Sequence, residues 1–198
     1  MEIDPDALDR RAAYRLMISA IVPRPIAFVT SLHGSVVNLA PFSYFNAVST
    51  SPPIVMIAVG SRKDGRKDTW RNIEETREFV VNVVVPGLMD AVIVGAQDHP
   101  RDVSELAVAK LTPLPSRKVK PPRVAESPIH LECTLEKIVE VADTALILGR
   151  VVLAHVRDEL VKEGAVDPTL LEFVGRLGGD LYARVSKGEI VDRRAARG

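Results

Sequence analysis

The 198-residue chain holds one cysteine, Cys133. No internal disulfide is available, and a protein of the reducing cytoplasm is the expectation. Charge of either sign is not in excess: Lys+Arg and Asp+Glu are both 26. A nucleic-acid groove needs a local surplus of cations to displace counterions from phosphate, so that class is disfavoured, as is a polybasic membrane patch. No apolar run approaches bilayer length, and the opening Met1-Glu2-Ile3-Asp4-Pro5 lacks a cationic signal-peptide region. The Gly-x-Gly-x-x-Gly of a dinucleotide fold, a Walker-type loop and the Gly-x-Ser-x-Gly elbow of hydrolases are all missing. The four histidines, His33, His99, His130 and His155, are scattered without metal-ligand spacing, so no metal is expected.

What is present is an ordinary globular balance, 46% apolar and 26% charged, sized for a single domain over residues 1–198. An N-terminal helix over about residues 5–20 is predicted to start at Asp4-Pro5, carry Leu8, Ala12 and Leu16 on one face, and stop before Pro23 and Pro25. Strand-like runs follow at 26–31 and 36–40 around Gly34, a hairpin signal. Further strands are read at 54–60, 79–85, 129–141 and 145–156, and helices at 67–76, 86–97, 104–110 and 158–164. A charged tail occupies about residues 188–198. Strands in runs with few βαβ alternations predict a mainly β protein, a small antiparallel barrel with peripheral helices. Cys133 falls in the apolar row of an alternating strand and reads as core.

Three segments look unlike generic core. The first is Arg24-Pro25-Ile26-Ala27-Phe28-Val29-Thr30-Ser31. The second is Asn38-Leu39-Ala40-Pro41-Phe42-Ser43-Tyr44-Phe45-Asn46, with Ser51-Pro52-Pro53 after it. The third is Ser61-Arg62-Lys63 with Arg66-Lys67-Asp68-Thr69-Trp70-Arg71-Asn72-Ile73. In the third, cations and hydroxyls precede a helix start, which suits a phosphate-sized anion; taken alone, a solvated loop whose Asp68 or Thr69 caps the helix is the favoured account. The second could stack a flat ring against small residues and backbone N–H groups, or be a core strand entering a turn.

Taken together, the ordered segments resemble the flavin reductase-like family with the FMN-binding split barrel, including flavoredoxin-type proteins. Ser127-Pro128-Ile129-His130-Leu131-Glu132-Cys133, Gly149-Arg150-Val151 and Arg176-Leu177-Gly178-Gly179 with Tyr182 extend the likeness over most of the chain. The resemblance implies a dimeric split β-barrel that binds FMN near the subunit interface and is reduced by NADH or NADPH. By position it puts Thr30 and Ser31 beside the flavin, and Asn38, Leu39, Ala40, Pro41, Phe42 and Ser43 along the ring. Ser61, Lys67 and Thr69 fall at the phosphate and ribityl end, with Arg24 and Tyr182 as further contacts. It departs at Asp143-Thr144-Ala145, where some members carry a histidine facing the flavin; His155, later on the same strand, reads as a half-exposed strand residue. The implied function is an NAD(P)H-dependent flavin reductase serving free flavin, an oxygenase or another acceptor. The alternatives are a flavoredoxin-like electron carrier with tightly held FMN, a flavin-binding protein without reductase activity, and an interaction domain without cofactor.

Overall fold

Runs of β-branched and aromatic residues pair into one large antiparallel sheet whose two edges almost meet. In the computed structural model, residues 1–62 and 65–185 are described; the readings for Lys63 and for the charged tail lie outside them. The main strands are β2 (Ala27–His33), β3 (Val36–Phe42), β4 (Phe45–Thr50), β5 (Pro53–Arg62), β7 (Glu78–Val83), β10 (Ile129–Val141) and β11 (Thr144–Val156), in the order β3-β2-β7-β10-β11-β5-β4. The short β6 (Gly65–Arg66) folds back on β5. A second sheet joins β1 (Arg24–Pro25), β14 (Phe173–Arg176) and β15 (Tyr182–Val185). Two small ladders, β8 (Pro113–Leu114) with β9 (Arg123–Val124) and β12 (Val161–Lys162) with β13 (Ala165–Val166), complete the strands.

Connectivity forces the curvature. β3 and β4 are the opposite ends of the sheet path, yet only Ser43 and Tyr44 separate them in sequence. Three Cα–Cα steps reach at most about 11 Å. The sheet therefore curls until the end of its first strand meets the start of its last, without a backbone ladder joining them. This is the split barrel that the sequence predicts.

Alternation along the strands sorts the apolar residues into two cores. Ala27, Val29, Ile57, Phe79, Val81 and Ile147 point inward with Cys133, and Trp70 and Ile73 of α2 (Asp68–Thr76) plug one end. Phe28, Leu39 and Val124 point outward beneath Leu88, Val92 of α3 (Met89–Gly95) and Leu106 of α4 (Glu105–Val108). Cys133 is fully buried, and burial pushes its thiol far up, so it stays protonated packing material. Gly149 of the Gly-x-Val motif is a packing glycine: a Cβ there would come within 2.2 Å of the Phe79 ring.

Several local expectations shift. Asp4-Pro5 starts only a 3-10 turn, Pro5–Ala7; α1 (Arg10–Ala20) begins where the Asp9 carboxylate accepts from Ala12 N–H at 2.7 Å. Its buried residue is Ile18, while Leu8, Ala12 and Leu16 are half-buried. Pro86 opens a 3-10 turn before the shorter α3. The polar segment read as helix at 158–164 is a 3-10 turn, Asp158–Leu160, leading into β12; Glu163 and Gly164 then adopt positive φ, which closes a two-residue hairpin.

Candidate functional site

The split itself is the wall of a cavity of about 390 Å³. Pro41, Phe42, Ser43 and Tyr44 line it from the crossing, Ser61 from the end of β5, and Asp143-Thr144 from the β10–β11 turn. Arg10, Tyr14 and Ile18 cover it from α1, four residues apart and so on one helical face. Arg10 ion-pairs with Asp143 at the exposed rim of the opening. Arg24 fixes this geometry from behind. Its guanidinium donates to the carbonyls of Ile18 and Ile21, both at 2.6 Å, to Leu177 O at 2.9 Å and to Ser43 Oγ at 3.3 Å. One buried cation thus ties the end of α1, the crossing and the chain after β14 together. Gly178 serves the same join, since a Cβ there would press on Ser19.

A smaller polar cavity of about 160 Å³ adjoins, and Pro41, Phe42 and Lys67 border both. Asn38, Arg62, Thr69, Gln97 and Glu105 are among its other walls. Lys67 precedes α2, whose first turn carries no side-chain cap. Burial, then the neighbouring Arg62, lowers the Lys67 pKa. Among the described residues no carboxylate lies within ion-pair distance of its ammonium. Three arginines converge on Asp68 instead: Arg62 at 3.3 Å, Arg101 at 3.6 Å and Arg71 at 4.0 Å. Arg62 also reaches Asp98 at 3.1 Å, and its Nε is buried without a partner. Glu105 accepts from Leu39 N–H at 3.1 Å across the outer edge of β3; burial raises its pKa.

Behind that rim the polar groups bond mainly to one another. Asn38 Nδ2 donates to Thr69 Oγ1 at 3.0 Å and Ser31 Oγ at 3.2 Å; Asn72 Nδ2 donates to the same Ser31 Oγ at 3.2 Å. Arg101 donates to Asn72 Oδ1 at 3.2 Å. The Thr69 hydroxyl, accepting from Asn38, keeps its own proton free of any acceptor among the described residues.

A family model described as flavin reductase like domain matches residues 18–177. The chain belongs to this flavin reductase-like family. An uncharacterised protein of Halalkalibacterium halodurans is 41% identical, covering 98% of this chain and 96% of its own. Nitrilotriacetate monooxygenase component B from Bacillus cereus superposes with a TM-score of 0.91 at 36% identity, over 96% of this chain and 98% of that one. Pseudomonas fluorescens 2-nitrobenzoate 2-nitroreductase gives 0.89 at 33%, over 97% and 95%.

Within this flavin reductase-like domain, the residues expected from sequence divide by strand face. Pro41, Phe42, Ser43, Ser61 and Lys67 meet at the larger cavity, and Asn38, Ala40 and Thr69 join Lys67 at the smaller. Ser31 stands behind Asn38 in the inner network. Thr30, one residue away, faces the other side and donates to Pro122 O at 2.5 Å. The Leu39 side chain is in the outer core. Tyr182 packs near that core under Arg176, 4.3 Å from its ring centroid, and lines neither cavity. Arg10, Tyr14, Gln97 and Glu105 are walls that the sequence reading did not single out. The i, i+4, i+8 spacing of Arg10, Tyr14 and Ile18 was the available signal for the first two; Gln97 and Glu105 had none, because only the tertiary fold brings them to β3.

Proposed function

We propose that this chain is an NAD(P)H-dependent flavin reductase that holds FMN across the two adjoining cavities. It works as a homodimer and passes electrons to an oxygenase or another acceptor. The observation that carries this reading is the position of Lys67: a partly buried cation with no carboxylate at ion-pair distance among the described residues and only the more distant Asp98 opposing its loss of charge, on the border of one cavity walled by rings and another walled by polar groups. A buried cation lacking an anion is costly, and a ligand phosphate removes that cost. Arg62, with its unpartnered Nε, the free proton of Thr69 and the uncapped first turn of α2 suit the same phosphate. Tyr14, Phe42 and Tyr44 offer flat apolar surface for the ring, and Ser43 and Ser61 offer polar edges.

When bound, FMN supplies the redox chemistry, accepting a hydride from the nicotinamide. The protein's part is placement. Lys67 and Arg62 neutralise the phosphate, the α1 face excludes water above the ring wall, and Arg24 keeps the crossing from shifting. Exposed Tyr14, Met17, Ile21 and Val22 on and just after α1 form an apolar surface suited to a second copy of the chain. The oxygenase partner is supported by the likeness to a monooxygenase component.

The test is the absorbance spectrum of the purified protein loaded with FMN, before and after anaerobic NADH or NADPH, followed by turnover of added free FMN. Bleaching of the long-wavelength flavin band with turnover of free FMN is expected. Failure to take up FMN, or bound FMN that neither nicotinamide reduces, overturns the reading. Bleaching without turnover of free FMN replaces the reductase by a flavoredoxin-like carrier.

A further inference from the structure

A cavity of about 420 Å³ lies at the far end of the long hairpin, where β10 begins and β11 ends. From Thr144 to His155 along β11 is roughly 36 Å, so it is remote from the flavin cavities within one chain. Its described walls include two arginines, Arg123 and Arg157, and two histidines, His130 and His155, but no carboxylate. Leu114, Pro128 and Val156 add apolar wall, with the small residues Ala125, Ser127 and Ala154 between.

The carboxylates nearby are already engaged. Glu132, fully buried behind His155, accepts from His155 Nε2 at 2.6 Å, Arg117 N–H at 2.9 Å and Lys118 N–H at 2.6 Å. Burial works against its charge, but these three donors outweigh it and hold the carboxyl below its usual range. The Glu126 carboxylate is taken by Thr112 N–H at 3.0 Å. The arginines, by contrast, touch only carbonyls: Arg123 donates to Pro115 O at 2.9 Å, and Arg157 makes long contacts to Ala125 O and Glu126 O at 3.4 and 3.5 Å. Neither ion-pairs with a carboxylate among the described residues.

His130 adds a second requirement. It is 5% exposed, and its Nε2 lies 2.8 Å from Val124 O, which can only accept; Nε2 therefore carries the proton. Burial first, then the neighbouring cationic side chains Arg123 and Arg157, lower its pKa and favour the neutral ring. Nδ1 is then a bare acceptor, buried and without a partner, on a ring that walls the cavity. A buried unsatisfied acceptor beside two uncompensated guanidinium groups fits a ligand that brings both a negative charge and a donor.

We propose that this cavity binds a small organic oxyanion, held by Arg123 and Arg157 through its charge and by His130 Nδ1 through an O–H or N–H group. The site is independent of the flavin reading. Calorimetric titration of the FMN-loaded full chain with 4-hydroxybenzoate and, separately, with glycerol 3-phosphate distinguishes a carboxylate from a phosphate source. Nitrogen NMR of His130 reports the contact directly. At least one probe is expected to bind, to move the His130 Nδ1 resonance, and to lose about tenfold or more in affinity in Arg157→Gln, an exposed position that leaves the fold intact. Benzoate, which lacks the donor, is expected to leave Nδ1 unmoved. Lys67→Ala is expected to weaken FMN alone, which separates the two sites. If neither probe binds at millimolar concentration, or if binding is indifferent to Arg157→Gln, the proposal is wrong.

Discussion

Two polar clusters meet at the first turn of α2, and they are built on opposite terms. In the inner one, Ser31, Asn38, Thr69 and Asn72 are buried and bonded to one another. In the outer one, Lys67 and Arg62 face cavities, one without a carboxylate at ion-pair distance among the described residues and the other with an unpartnered Nε. The difference separates structure from binding: a network bonded within itself holds elements in place, whereas surplus cationic capacity is capacity for a ligand. Asn38 and Thr69 belong to both, since they line the smaller cavity while bonding inward.

The largest effect expected is on stability, at the inner cluster. Asn72→Ala removes one of the two donors to Ser31 and an acceptor of Arg101 and leaves a buried void, so urea unfolding should show a loss of about 3 kcal/mol. A loss below about 1 kcal/mol would show that the network does not hold α2 to β2. At the outer cluster the effect moves to the ligand. Lys67→Ala should weaken FMN about thirtyfold, or about 2 kcal/mol, while the unfolding midpoint of the flavin-free protein stays level or rises, because a desolvated cation is gone. A lower midpoint with unchanged FMN affinity would reverse the assignment of the two clusters.

The contrast also explains what the sequence could tell. The inward row Ala27, Val29 and Ser31 and the outward row Phe28 and Thr30 follow from strand periodicity alone. A small antiparallel barrel was legible because it depends on such rows and on turns; that the barrel is split came from the family resemblance. The motif residues nevertheless came as one continuous list, Thr30 with Ser31 and Leu39 with Asn38, and within a regular strand such neighbours face opposite sides, whereas at the crossing Pro41 to Tyr44 all line one cavity. Arg24 looked like a cofactor contact for a related reason. Its chemistry suits an anion, but its donors are consumed by carbonyls from three separate parts of the chain, and no local pattern announces that. Glu105 was invisible because its role depends on α4 landing against β3.

Glu105 sharpens the comparison from the acid side. Its folded-state pKa is raised above the unfolded value of about 4.3, so the folded protein binds the extra proton. Stability from this group is present at low pH and declines as pH rises through the window between the two values. Glu105→Gln keeps an acceptor for Leu39 N–H and removes that slope. At neutral pH it also removes a negative charge from a wall of the smaller cavity, so FMN should bind about threefold tighter. Unchanged affinity across pH 5 to 8 in both proteins would mean that the phosphate end does not lie in this cavity.

The smallest effect is expected where the contacts look most numerous. Arg66 sits 4.4 Å from the Trp70 ring centroid and ion-pairs with Glu74 at 2.7 Å and Glu140 at 2.8 Å, apparently pinning α2 to β10. All three charged side chains are well exposed, however, at 38%, 46% and 56%. Water and salt screen such pairs, and holding three long side chains in register costs entropy that offsets most of the attraction. Arg66→Ala should therefore shift the unfolding free energy by less than about 1 kcal/mol and leave FMN affinity unchanged, measured by the same urea and titration experiments. A loss as large as that of Asn72→Ala would mean that the outer surface of α2, and not its buried asparagine, sets the helix against the barrel.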